Sequence, residues 1–206
     1  LRNPRGAGFR VWKDREIQEF KETLNEHGIY PVVAHIPYIV NPASSRDDLY
    51  ELARRVVTED LNRCDILEAP YLVLHPGSRG DGTTEEAIDR LISLVDNVLN
   101  DSEGKAMLLI ETMAGMGKEI CSTFDEMKLL WSGIKHKNRL GLCFDACHLF
   151  AAGFDVATPE GLGQLLDEVE SKVGIHYLKV VHINDCLREL GSHIDRHASI
   201  GKGQIG

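Results

Sequence analysis

The chain has 206 residues, 43% of them hydrophobic and 27% charged, and a formal net charge of −9. This composition suits a soluble globular protein with one sizeable core, and no apolar run approaches the ~18–20 residues of a membrane span. The five cysteines, Cys64, Cys121, Cys143, Cys147 and Cys186, form no CxxC pair. An odd count without a disulfide framework points to a reducing, intracellular setting and argues against a thiolate zinc knuckle. The acidic balance weighs against nucleic acid, although three divalent ions bound in one cleft would leave about −3.

In chain order, Asp14 to Glu26 reads as a helix with Ile17, Phe20 and Leu24 on one face and Gly28 as its stop. Tyr30 to His35 reads as a short buried strand. Ser45-Arg-Asp-Asp48 has the form of a capping box opening a helix to about Cys64. Tyr71 to His75 is the next strand, and Thr84 to Leu99 a helix with Ile88, Leu91, Val95 and Val98 at helical spacing. Ala106 to Glu111 is a strand. Thr123-Phe-Asp-Glu126 is a second capping box, opening a helix to about Ile134. Leu140 to Asp145 is the fourth strand. Thr158-Pro159 supplies an N-cap and a first-turn proline for a helix to about Lys172, and Tyr177 to His182 is a fifth, buried strand.

Alternating strands and helices predict a parallel sheet with helices outside it. An open doubly wound sheet and a TIM (β/α) barrel both satisfy that pattern, but no strand is followed by GxGxxG, the usual mark of a dinucleotide domain.

The strands end alike. His35, His75, Glu111, Asp145 and His182 each close an apolar run with an imidazole or a carboxylate, and His148, Asp195 and His197 lie just beyond. For any one of them, a polar rim residue is the better reading. Five successive strands delivering such groups to one rim favour a metal cluster, because these are the donors that zinc takes. Eight candidates exceed what one zinc with an open position needs, so two or three ions are implied. The cysteines read as small core fillers, and His27, His136, His176 and His193 are not singled out.

His35-x-x-Tyr38, His75-Pro-Gly-Ser78, Glu111-Thr-Met-Ala-Gly115, Cys143-Phe-Asp-Ala-Cys-His148 and His182-Ile-Asn-Asp185 with Gly191-Ser-His-Ile-Asp-Arg-His197 together resemble the endonuclease IV family of apurinic/apyrimidinic (AP) endonucleases, in order over essentially the whole chain. The resemblance implies a xylose-isomerase-like TIM barrel holding three zinc ions in the complete fold, with Mn2+ an option at one site. It implies an enzyme of base-excision repair that cuts double-stranded DNA 5′ to abasic sites, leaving a 3′-hydroxyl and a 5′-deoxyribose phosphate. By position, His35 and His75 resemble ligands of one zinc, and Glu111 bridges it to a second that Asp145 and His182 also hold. His148, Asp195 and His197 resemble the cage of the third. Arg5, Tyr38 and Ile39 fall where the family inserts side chains into the duplex. Met113, Ala146 and the Cys186-Leu187 pair depart from the family pattern without removing a ligand.

About five of the eight barrel strands have counterparts in residues 1–206, read as a single partial barrel domain; the first two and the last, which supplies a carboxylate to the second zinc, do not. The expectation is therefore a part of a longer protein, or a chain that folds poorly and holds its second zinc weakly, with activity on its own in question. A monomer is expected, without membrane attachment, in the cytoplasm of a prokaryote or the nucleus or cytoplasm of a eukaryote or virus. The competing enzyme reading is a metal-dependent sugar isomerase or epimerase of the same barrel superfamily, for which the third ligand set would have no use. The non-enzymatic reading is a lesion-binding module with an incomplete site.

Overall fold

Five parallel strands stand side by side in chain order in a computed structural model that describes residues 1–3 and 6–206. They are β1 (Val33–His35), β2 (Tyr71–Leu74), β3 (Met107–Glu111), β4 (Leu140–Asp145) and β5 (Leu178–His182). Helices α1 (Asp14–Glu26), α2 (Asp47–Leu67), α3 (Thr84–Asp101), α4 (Phe124–Gly133), α5 (Ala146–Ala152) and α6 (Pro159–Lys172) intervene. A small antiparallel pair, β6 (Asp185–Cys186) and β7 (His197–Ala198), follows. This is the arc of a partial TIM barrel. Among the described residues, no helix is long and apolar enough to cross a membrane.

Side chains alternate across a strand, so the sheet has two apolar faces. Leu72 and Leu74 of β2, with Leu108 and Ile110 of β3, turn outward into the main core beneath α2, α3 and α4, where Leu61, Leu91, Leu94, Phe124 and Leu130 are buried. Val73, Leu109 and Cys143 form a smaller cluster on the opposite face. Gly141 stands opposite Leu109 in the register, and a Cβ there would lie 2.4 Å from a Leu109 methyl carbon. The missing side chain is what lets the leucine in.

The strand register decides where the polar ends fall. Glu111 pairs with Cys143, and a shift between Leu142 and Cys143 brings Asp145 opposite His182. Ligand candidates thereby reach one rim, as in a parallel barrel, where all strand C-termini face the same mouth.

Three details differ from the expectations. Ser45 does not cap α2; the N-cap is Arg46, which has no side-chain cap, while Ser44 Oγ accepts the Arg46 N–H. The reciprocal box lies instead at Thr83 and Glu86 of α3, and Thr123 caps α4 while Glu126 reaches past it to the Ser122 N–H. Finally, β1 and β5 are partly exposed rather than buried, because each forms an outer edge of the sheet; Val181 is 48% exposed.

Candidate metal centre

All eight predicted ligands line a single cavity of about 380 Å³ at the carboxyl end of the sheet. His35, Glu111, Asp145 and His182 are the last residues of β1, β3, β4 and β5, and His75 is the first residue past β2. His148 lies in the first turn of α5, and Asp195 and His197 arrive on the segment that ends in β7. Tyr38, exposed, borders the same cavity, and Ile39 beside it is also exposed. Arg5 lies outside the described residues.

Glu111 is the hub. It is buried, and its two oxygens face different partners. Oε2 is 2.9 Å from His35 Nε2 and 3.1 Å from His75 Nε2, whereas Oε1 is 3.0 Å from His182 Nδ1. His182 Nδ1 is also 3.6 Å from Asp145 Oδ2. On the other side of Asp145, its Oδ1 is 3.6 Å from His197 Nε2. Asp195 then joins the last two imidazoles, at 3.1 Å from His197 Nε2 and 3.3 Å from His148 Nε2. The ligand atoms of His35, Glu111 and His182, and those of His148, Asp195 and His197, each lie within 4.8 Å of one another.

Neighbouring groups fix which ring nitrogen is presented. A carbonyl can only accept, so His35 Nδ1–H donates to Ile36 O at 2.7 Å and His148 Nδ1–H donates to Thr112 O at 2.8 Å. In both rings that leaves Nε2 for the cavity, the arrangement outer partners commonly impose on metal-binding imidazoles. Asp145 is held equally firmly. Its Oδ1 accepts the His148 N–H and caps α5, its Oδ2 accepts Asn184 Nδ2 at 2.7 Å, and its own N–H donates to Thr112 Oγ1.

Charge follows from this packing. Burial pushes the Glu111 carboxyl up, but hydrogen bonds from His182, His35 and His75 outweigh it and hold the group far below the ordinary carboxylate range. Hydrogen bonds to Asp145, Cys143 and Glu111 push His182 up to about 12. Burial lowers His148, yet Asp195, Asp145 and Glu111 raise it to about 9. His197 is raised chiefly by Asp195. Three acidic groups thus draw positive charge into one hollow, and protons on imidazole supply it. Divalent cations would supply it with the same donors, so the residues present fit a cluster of zinc-type ions.

Asn184 and Thr112 were not singled out from the sequence, although Asn184 stands inside the His182-Ile-Asn-Asp185 motif. Their signal was motif membership alone, since an amide or hydroxyl that orients a ligand carries no metal-binding pattern of its own. The five cysteines are buried and free, as core fillers should be, but Cys143 Sγ lies 3.6 Å from His182 Nε2. His136, between Lys135 and Lys137, is anchored by Asp96, whose Oδ1 lies 3.1 Å from its Nδ1.

Residues 2–206 match the family model of the xylose isomerase-like TIM barrel. The probable endonuclease 4 of Moorella thermoacetica is 40% identical over 206 residues, which is all of this chain and 73% of that protein. The chain belongs to the endonuclease IV family. Among solved structures, endonuclease IV from Thermus thermophilus superposes with a TM-score of 0.85 at 32% identity, over 100% of this chain and 72% of that one. A D-tagatose 3-epimerase-like protein shares the fold at a TM-score of 0.74 and 21% identity, covering 93% of this chain and 68% of that one.

Proposed function

We propose that this protein is a zinc-dependent AP endonuclease that hydrolyses the DNA phosphodiester bond 5′ to an abasic site, leaving a 3′-hydroxyl and a 5′-deoxyribose phosphate. Membership of the endonuclease IV family makes it a DNA-cleaving hydrolase. The observation that carries the finer reading is the chaining of ligand groups. Glu111 turns one oxygen to His35 and His75 and the other to His182, and Asp195 gathers His148 and His197 on the far side of Asp145. A site for one ion has no use for so many donors. This supports three ions: one on His35, His75 and Glu111, a second on Glu111, Asp145 and His182, and a third on His148, Asp195 and His197.

Bound zinc would supply Lewis acidity to the phosphoryl group and make a nucleophile available near neutral pH. The protein's part is positioning. Glu111 is desolvated and clamped from both sides, so its oxygens stay apart and ionised. Thr112 and Asn184 hold Asp145 and His148 in register, limiting the displacements that cost catalytic power. Enzymes that act on a lesion within a duplex commonly turn it out of the stack, and this reading requires the abasic sugar to do so here. Tyr38 and Ile39, exposed at the rim, suit the gap left by the missing base. Intracellular duplex DNA is the partner this reading requires.

The test is incision of a duplex carrying one tetrahydrofuran abasic analogue, before and after chelation. Cutting 5′ to the analogue, lost on chelation, restored by zinc and lost in His148→Ala, is the expected result. Metal-dependent interconversion of ketose and aldose with intact DNA would instead establish the sugar isomerase reading. Binding without incision would leave a lesion-recognition module.

A further inference from the structure

Asp195 and His197 are reached through residues 187–196, which belong to no helix or strand, yet two side chains must be held still there. What fastens this segment is His193. Its Nδ1–H donates to Ala114 O at 2.9 Å, and its backbone N–H donates to Ala151 O at 2.9 Å. The Gly191 N–H adds a bond to Phe150 O at 3.0 Å. Both anchors lead back to His148. Ala114 lies two residues beyond Thr112, whose carbonyl accepts His148 Nδ1–H, and Phe150 and Ala151 follow His148 on α5. One backbone stretch and one short helix therefore set both the His148 ring and the loop that brings its partners. Two backbone positions admit the contact. His193 has φ +52°, a left-handed conformation that histidine and asparagine adopt more readily than most side-chain-bearing residues. Gly115 leaves the ring its space, since a Cβ there would lie 2.9 Å from His193 Nδ1. His193 is itself exposed, so it fills no core.

We propose that His193 is a positioning residue for the third ion: its Nδ1–H, held by Ala114 O, fixes the loop so that Asp195 and His197 face His148. Partners outside the ligand set act in this way, orienting donors without touching the metal. A carbonyl accepts the same Nδ1 proton from a neutral or a charged imidazole, so the anchor does not depend on the charge of the ring. The proposal rests on His148, Asp195 and His197 serving one ion, as read above.

The experiment compares His193→Gly, which accepts the left-handed backbone but has no donor, with His193→Asn. The asparagine tolerates the same backbone, and its Nδ2 places a donor where Nδ1 stands. Two quantities are measured on the full chain: amide hydrogen exchange without metal, and zinc content at limiting free zinc. In His193→Gly the Leu187 N–H, which donates to Arg196 O at 2.8 Å, should lose protection. The ion that His148→Ala loses should be held ~10–100-fold more weakly, with the other ions retained. His193→Asn should restore both, and the circular dichroism spectrum should match throughout. His193→Gln, whose amide lies one bond further out, should behave like the glycine variant and replaces it if that variant folds poorly. Unchanged protection or unchanged zinc affinity in His193→Gly, or no recovery in His193→Asn, would overturn the proposal. Lost protection in a protein that holds no His148-dependent zinc and does not cut abasic DNA would sink the reading of the site. Zinc-dependent incision with that ion unaffected in His193→Gly would sink only the role of His193.

Discussion

Glu111 Oε1 meets His182 Nδ1 at 3.0 Å, linking β3 to β5 across the intervening strand β4. The same carboxylate faces His35 and His75 with its other oxygen. Removing its charge should therefore disturb two ion positions at once. Glu111→Gln is expected to keep the fold, lower zinc content by about two of about three ions and cut incision by at least about a hundredfold. Elemental analysis beside the abasic-duplex assay decides; unaltered zinc content would refute the bridging role.

Tyr38 makes the opposite kind of prediction. It is 63% exposed, so truncation should leave the melting temperature alone. Stacking of an aromatic ring against a base is worth ~1–3 kcal/mol. Tyr38→Ala should weaken binding to abasic duplex by about that amount and leave binding to intact duplex unchanged, as measured by fluorescence anisotropy. Equal losses on both DNAs would mean that Tyr38 does not enter the lesion.

Asp185 supplies a pH dependence outside the cavity that gathers the eight candidate ligands. Burial raises its carboxyl, but the Ile205, Gly203 and Cys186 N–H groups bring it down to about 2. A depressed folded-state value stabilises above the unfolded one and loses that contribution as pH falls through the folded value. The turn at 203–205 should thus stay protected from hydrogen exchange near pH ~4 and lose protection on approach to pH ~2. Asp185→Asn should lack protection in that turn at neutral pH; retained protection would show that the carboxylate is not its anchor.

Thr83 tests the scaffold. Its Oγ1 accepts the Glu86 N–H, and the Glu86 carboxylate returns to the Thr83 N–H at 2.8 Å. Thr83→Ala should cost ~0.5–2 kcal/mol, lowering the melting temperature by about 2–4 °C for each kcal/mol in a chain of this length. A calorimetric scan that does not move would mean that α3 does not depend on this cap.

The strands were legible because each is a short apolar run closed by a polar ligand, and α3 because its apolar spacing runs unbroken along the helix. That the strand-end candidates His35, His75, Glu111, Asp145 and His182 would meet at one cavity was legible for the same reason, since side chains at strand ends have only one rim to reach. Helix α5 was not: its N-cap, Asp145, looks like a ligand, and its seven residues are too few to display a period. The β6–β7 pair, two residues each, lies below any alternation pattern. Ser45 misled because a serine three residues ahead of an acid fits the box, while the chain actually enters α2 one residue later.

Asp145 Oδ1 starts a helix and Oδ2 holds Asn184, while the same carboxylate borders two clusters of imidazoles. Its length is thereby dictated twice, once by the backbone it caps and once by the charges it must reach. A glutamate, chemically as good a donor, would overshoot the amide of His148 and unseat the ring that follows. Natural variation at this position should accordingly be narrower than at Glu111, whose carboxylate oxygens face the imidazoles of His35, His75 and His182.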